Sequence, residues 1–419
     1  LKKFLVILLS CYFVYGLAVS IYIFYGSDSS LPVVYKGSAA DPELFMTDRE
    51  LELSQEFSQI KNIIYFLRIP LEWGAYLAIL IFGLSNAFEK WAKKRKFFIV
   101  QTAIFVFFIS LFVRIIYLPI DIYSYKVSVA YGVATQSMAS WFKDVAITFL
   151  VNLIVMTIVI ATIVFLLKKA KQKWWVYTWL LSIPFTVFFM YFQPVIIAPL
   201  FNDFYELQNK ELQSEILELA NEAGIPAERV YEVNMSEKTN AMNAYVTGIG
   251  SNLRIVLWDT TLEKLEKDEV LFIMAHEIGH YVKNHLLLSL LGSIASTFFG
   301  LYVSNRLLQW SLNKWGENLK IHSQASFAII PALLLIFSLL TFVSTPVSNV
   351  ISRYHELEAD RFAIEMTKDP DAAIGSFQAL TKAGLSDVNP PTVVKWLRYT
   401  HPTMLERLIF LESFRNNSQ

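Results

Sequence analysis

Apolar runs long enough to cross a bilayer recur along this chain, near residues 4–25, 69–88, 97–117, 145–167, 175–200, 286–308 and 327–350. A spanning helix needs about 20 mostly apolar residues, because the hydrocarbon core offers no partner to a bare backbone amide. Seven such runs in 419 residues commit the chain to a mainly α, polytopic membrane fold. The chain is 55% hydrophobic and only 17% charged, where soluble domains carry about a quarter charged residues. Lys+Arg and Asp+Glu number 36 each, so net charge gives no footing for nucleic acid as a partner. The single cysteine, Cys11, excludes a disulfide scaffold. The first run follows Lys2 and Lys3, as a signal peptide would. It is too long for one and shows no small-residue cleavage site, so it reads as a retained span. Pro184 and Pro194 interrupt the fifth run, as a packed kink or a bend around a cavity.

The spans divide the chain into four parts. Residues 1–201 hold five membrane helices and their loops. Residues 202–284 form a polar insertion, opening on a helical pattern at Leu212, Ile216, Leu219 and Ala220 that Gly224-Ile225-Pro226 ends. Strand-like runs follow at 230–233, 244–249 and 254–258, then a helix near 267–283. Residues 285–351 hold two more spans. Residues 352–419 are a helical segment broken at Asn389-Pro390-Pro391. Loop 89–96 carries five Lys/Arg and one Glu, loop 168–173 four Lys and no acid, and loop 26–60 seven acids and two bases. Lys/Arg excess marks cytoplasmic loops. Taken alone, the charges put the amino terminus in the cytoplasm and the insertion outside, in a multi-pass protein of the cell membrane.

Chemistry concentrates at His276-Glu277-Ile278-Gly279-His280. Two His at i and i+4 share a helix face, so both imidazoles can reach one metal ion. Glu277 beside them can take a proton from a water that the metal polarises. A hydrolytic zinc centre takes three protein ligands and keeps one open position, so a third ligand must come from elsewhere. His285, His322, His355, His401 and the acids are candidates. Glu356 and Asp360, beyond the last span, lie i and i+4 on one face. One can bind the metal while the other orients a ligating His through its second ring nitrogen. Glu358 points away from that face. His285 falls on a different face from the His pair and His355 faces elsewhere, so both read as structural. The bland alternative is a buried His pair satisfied by its neighbours.

With those residues in place, the chain resembles the integral-membrane zinc metalloproteases of the CAAX prenyl endopeptidase family, and over the catalytic part the membrane-bound heat-shock zinc proteases. The resemblance runs through LPIDIYSYKVSVAYG (118–132), FKDVAITFLV (142–151), IAPLFNDF (197–204), NAYVTG (243–248), RIVLWDTTL (254–262), HEIGH, YHELEADRFA (354–363) and THPTMLERL (400–408). It implies zinc held by His276, His280 and Glu356, with Glu277 as general base. It implies Asp360 as the acid behind a ligand, and His401 as a stabiliser of the oxyanion. It also implies Asn243 beside an extended substrate and Arg407 as a basic residue near the site. It implies seven helices enclosing a chamber, a small zincin-like catalytic domain with a short β-sheet, and a cytosolic catalytic side. The chain departs from some members in having only about fourteen residues between Leu262 and His276, and in its acidic first loop. The expected function is a zinc metalloendopeptidase acting on membrane-associated, prenylated or CAAX-like, or misfolded proteins. Its partners are then a peptide or protein substrate and the lipid bilayer; the sequence gives no oligomeric state. The competing reading is an inactive membrane transporter or chaperone-like scaffold, and a transporter would place ionisable residues inside several spans.

Overall fold

The computed structural model describes residues 2–27, 29–248, 253–319, 321 and 323–417. Helix α1 (Lys2–Ile21) is followed by α2 (Asp48–Ile81), α3 (Leu84–Ala92), α4 (Phe98–Ala130), α5 (Met138–Ala170) and α6 (Trp174–Phe192). The insertion folds as β1 (Phe204–Glu206), α7 (Lys210–Glu222), β2 (Val230–Val233), β3 (Ala244–Thr247), β4 (Arg254–Trp258), α8 (Asp259–Lys264) and α9 (Lys267–Val282). The chain then re-enters the bundle as α10 (His285–Trp315) and α11 (Ile330–Thr367), and ends in α12 (Pro370–Gly384), α13 (Thr392–Arg398) and α14 (Met404–Asn417). Among the described residues seven helices are long and apolar enough to cross a membrane.

Several spans begin or end far from their apolar runs. Thr47 accepts from Glu50 N while Glu50 accepts from Thr47 N, a reciprocal cap that starts α2 about five turns before its apolar half. Instead of continuing to residue 88, α2 stops at Ile81. Gly83, at φ +69°, turns the chain into α3, a conformation that glycine adopts without a Cβ clash. Helix α4 runs thirteen residues past its expected end at 117, and α11 carries its axis from the bilayer into the catalytic part. Pro184 stays inside α6, whereas Pro194 sits where α6 gives way to a wide turn over Gln193–Ile197. The basic loops gather at one end of the bundle, where Asn86 Nδ2 donates to Leu319 O and Lys168 lies over the rings of Phe98 and Phe327.

The sheet has the order β1-β2-β4-β3, with β2 and β4 parallel and the other pairs antiparallel. Two of its strands match the expected runs; β3 covers 244–247 of the expected 244–249, and residue 249 lies outside the described residues. At three residues, β1 is too short to carry a periodic signal. Strand β3 is an edge, with one side open to an added strand. Behind the sheet, Ile255 and Leu257 of β4 pack with Phe272 of α9, Phe377 of α12 and Leu408 of α14 into one core.

The bundle encloses a chamber. A cavity of about 820 Å³ lies against α2, α4 and α5, and a second of about 490 Å³ lies between α2, α4 and α11. Within the apolar runs themselves, Arg114 and Glu72 are the notable ionisable residues. The added lengths of α2, α4 and α5 bring Arg68, Asp121 and Asp144 to the cavity wall as well. Asp121 takes Arg68 at 2.5 Å and Arg114 at 2.7 Å.

Candidate metal centre and active site

Helix α9 presents His276 and His280 one turn apart, and their Nε2 atoms lie 3.1 Å from each other. Glu356 on α11 approaches both, Oε2 at 3.3 Å from His276 Nε2 and Oε1 at 3.4 Å from His280 Nε2. A tetrahedral zinc with ligands at 2.0–2.1 Å spaces those ligands by about 3.3–3.4 Å. Glu356 Oε2 is buried and receives no hydrogen bond among the described residues. A buried carboxylate oxygen without a donor is costly, and a cation at the centre of this triangle would satisfy it. The residues present therefore fit a zinc ion.

The approach of α9 to α11 depends on Gly279. A Cβ there would lie 3.1 Å from Phe362 Cδ1 and 3.3 Å from Ala359 Cα. Side chains on neighbouring turns of α11, Glu356 and Asp360, are thereby held against the His pair. Gly279→Ala is expected to push the helices apart, costing about 1–3 kcal/mol of stability, as overpacking does. Thermal unfolding and zinc titration in detergent should both shift; an unchanged melting temperature and zinc affinity would mean that the helices have slack.

Asp360 Oδ1 lies 2.8 Å from His276 Nδ1, which fixes the ring with Nε2 toward Glu356. Asp360 also accepts from Arg407, Nε at 2.8 Å on Oδ2 and Nη2 at 2.5 Å on the Oδ1 that faces His276. Arg407 comes from α14, is buried, and lies over the Phe377 ring at 3.8 Å. Arg407, expected as a basic residue near the site, borders the cleft, and two of its donors are committed to Asp360. The sequence holds no local sign of this pairing, which joins residues forty-seven apart.

Glu277 lines a cleft of about 460 Å³ together with Asn243, His276 and His401. Burial pushes its carboxyl up to about 7, against the opposing charge of His276. Asn243 stands just before the edge strand β3. Its N donates to Thr261 Oγ1 at 2.9 Å, and its Oδ1 accepts from Ala244 N at 2.9 Å. His401, on the segment between α13 and α14, brings Nε2 to 3.5 Å from Glu356 Oε2, with its side chain open to the cleft. His322 lies outside the described residues.

His285 is placed differently from expectation. Asn284 takes a left-handed backbone, φ +56°, that breaks α9 from α10. The turn brings His285 Nδ1 to 3.0 Å from His280 Nδ1, the ring nitrogen facing away from the triangle. His285 also stacks on His355, centroids 4.3 Å apart, and its Nε2 is 3.4 Å from Glu358. Helical periodicity carried straight through residue 285 hid this contact. The Lys283-Asn284 pair was the available signal, since Asn tolerates the left-handed region.

Two packed helices supplying His, His and Glu, with a half-buried carboxylate in the adjoining cleft and a membrane bundle joined to them, define a membrane-embedded metalloprotease. Residues 206–415 match Peptidase family M48, and residues 33–203 match the CAAX prenyl protease N-terminal region of five membrane helices. The chain belongs to peptidase family M48. It is 46% identical over 406 residues to the Bacillus subtilis protein described as uncharacterized metalloprotease YhfN, covering 97% of this chain and 95% of that one. It is 26% identical to the CAAX prenyl protease 1 homolog of Arabidopsis thaliana, over 87% of each chain. The crystal structure of S. mikatae Ste24p shares the fold, with a TM-score of 0.78, 22% identity, and coverage of 97% of this chain and 98% of that one.

Proposed function

We propose that the protein is a zinc endopeptidase that cuts membrane-associated proteins, including prenylated, CAAX-like or misfolded ones, in a cleft that adjoins its membrane chamber. The observation that carries this reading is the triangle of donor atoms at 3.1–3.4 Å with Glu277 in the same cleft. When bound, zinc would supply a Lewis acid that lets water lose a proton near neutral pH. Glu277 would accept that proton and pass it to the leaving amine. Asn243 and the open edge of β3 would hold the peptide extended by main-chain hydrogen bonds. Asp360 and Arg407 would keep His276 oriented. His401 would donate to the oxyanion that develops on the cleaved carbonyl.

Relatives named CAAX prenyl protease 1 homolog support the prenylated substrate class. The charged chamber wall is what the transporter reading anticipates, but a transporter has no need of three metal-spaced donors beside a half-buried carboxylate. Zinc content of the purified protein, with hydrolysis of a peptide before and after chelation, tests the proposal; absence of zinc and of cleavage would refute it. His401→Ala is expected to keep zinc and nearly normal KM while kcat falls roughly 10²–10³-fold, the scale of a lost oxyanion donor. If kcat and thermal stability fall together, His401 shapes only the turn at Pro402; a wild-type kcat removes it from the reaction.

A further inference from the structure

The two histidines of α9 are backed differently. His276 Nδ1 faces the Asp360 carboxylate at 2.8 Å, whereas His280 Nδ1 faces another imidazole, His285 Nδ1, at 3.0 Å. The rings of His280 and His285 meet edge to face, their centroids 5.0 Å and their planes 71° apart. In an unbroken helix, five residues would carry His285 about 140° around the axis from His280. The left-handed Asn284 breaks that register and returns His285 to the metal centre. His285 is buried, and the ring of His355 lies parallel to it, 4.3 Å away and tilted by 8°, which fixes its plane. Its Nε2 makes no hydrogen bond among the described residues and lies 3.4 Å from Glu358 Oε2. The other oxygen of Glu358 accepts from Tyr354 at 3.3 Å. Glu358, on a different face of α11 from Glu356 and Asp360, therefore meets His285 instead.

These contacts decide where two protons sit. Two neutral imidazoles joined through their Nδ1 atoms share one hydrogen between them. With that hydrogen on His285, His280 carries its own on Nε2, the nitrogen that faces His276 and Glu356, and has no lone pair there for a metal. With it on His280, Nε2 is free and His285 is protonated at Nε2, beside Glu358. A carboxylate at 3.4 Å favours the second arrangement, because it stabilises an N–H that points at it and repels a lone pair. We propose that His285 is a positioning residue for His280, biased by Glu358 so that His280 presents the Nε2 lone pair to the metal; this rests on the zinc reading. His280, His285 and Glu358 then do in three links what His276 and Asp360 do in two. Helix α11 serves the centre three times, through Glu356 itself, through Asp360 on His276, and through Glu358 on His285.

The test measures zinc affinity of the full-length protein in detergent, by competition with a chromophoric chelator, beside thermal unfolding of the metal-free form. His285→Phe keeps a ring against His355 and removes the acceptor. It is expected to bind zinc roughly 10–100-fold more weakly, the scale of a lost partner behind a ligating His, while metal-free unfolding stays near wild type. His285→Asn puts an oxygen close to where Nδ1 stood and should return the affinity toward wild type. Glu358→Gln can turn an N–H toward His285 and so removes the bias; it should weaken zinc in the same direction by a smaller factor. Should His285→Phe not fold, Glu358→Gln, at a half-exposed position, decides the matter by itself. Wild-type zinc affinity in His285→Phe or in Glu358→Gln overturns the proposal. So does a result in which the Phe and Asn variants lose zinc affinity and metal-free stability alike, for then His285 only packs the start of α10. A wild-type protein that takes up no zinc removes the zinc reading, and this proposal with it.

Discussion

Glu356→Ala is expected to strip the metal from the protein. Glu356 supplies the corner of the triangle that α9 cannot, with oxygens 3.3 and 3.4 Å from the two ring nitrogens. Zinc sites bind with about 10–16 kcal/mol shared over four ligands, so one ligand accounts for about 3 kcal/mol, on the order of a 10²-fold change in affinity. Metal analysis of the purified variant should show much less zinc than wild type, and hydrolysis should fall with it. Removing the carboxylate also leaves His276 and His280 facing an empty corner with no anion between them. If zinc content were unchanged, and His355→Ala stripped it instead, the third ligand would be wrongly assigned.

Glu277→Gln is expected to separate metal binding from chemistry. The amide keeps the volume of the carboxylate and cannot take up a proton. Zinc content and thermal stability should stay near wild type, while kcat falls at least about 10²-fold, the scale of a lost general base. Burial favours the protonated form of the Glu277 carboxyl, and a zinc ion, when bound, would oppose that shift. Turnover close to wild type in this variant would take the proton transfer away from Glu277.

The membrane helices and the HEIGH motif were readable because each is a local pattern. Apolar runs report themselves over 20 residues, and His276, Glu277 and His280 fall within a turn and a half of one helix. Glu356 and Asp360 were readable as a pair on one face, and the structure brings both to the His pair across eighty residues of chain. What stayed hidden depended on where helices stop or on contacts between distant segments. Hydropathy sees only the apolar half of α2, so Lys61 and Arg68 fell before the run that begins at residue 69. A single left-handed Asn284 reverses which face His285 belongs to. Arg407 and Asp360 meet because α14 folds onto α11, and no spacing rule encodes that. His401, a histidine beside a proline in a turn, drew attention only through the resemblance of its segment to a known family.

Helix α11 runs unbroken from the bilayer to Glu356 and Asp360, and α14 then clamps Asp360 through Arg407. The order of synthesis follows from this. The ribosome delivers His276 and His280 before the last two membrane helices have been inserted, when the pair has neither its third donor nor its orienting acid. Only after the final span is seated, and the last helix of the chain has folded back, are all the parts in one place. With the roles proposed above, a protease laid out in this way would be silent throughout its own insertion, when its nascent segments and the translocation machinery are its nearest potential targets.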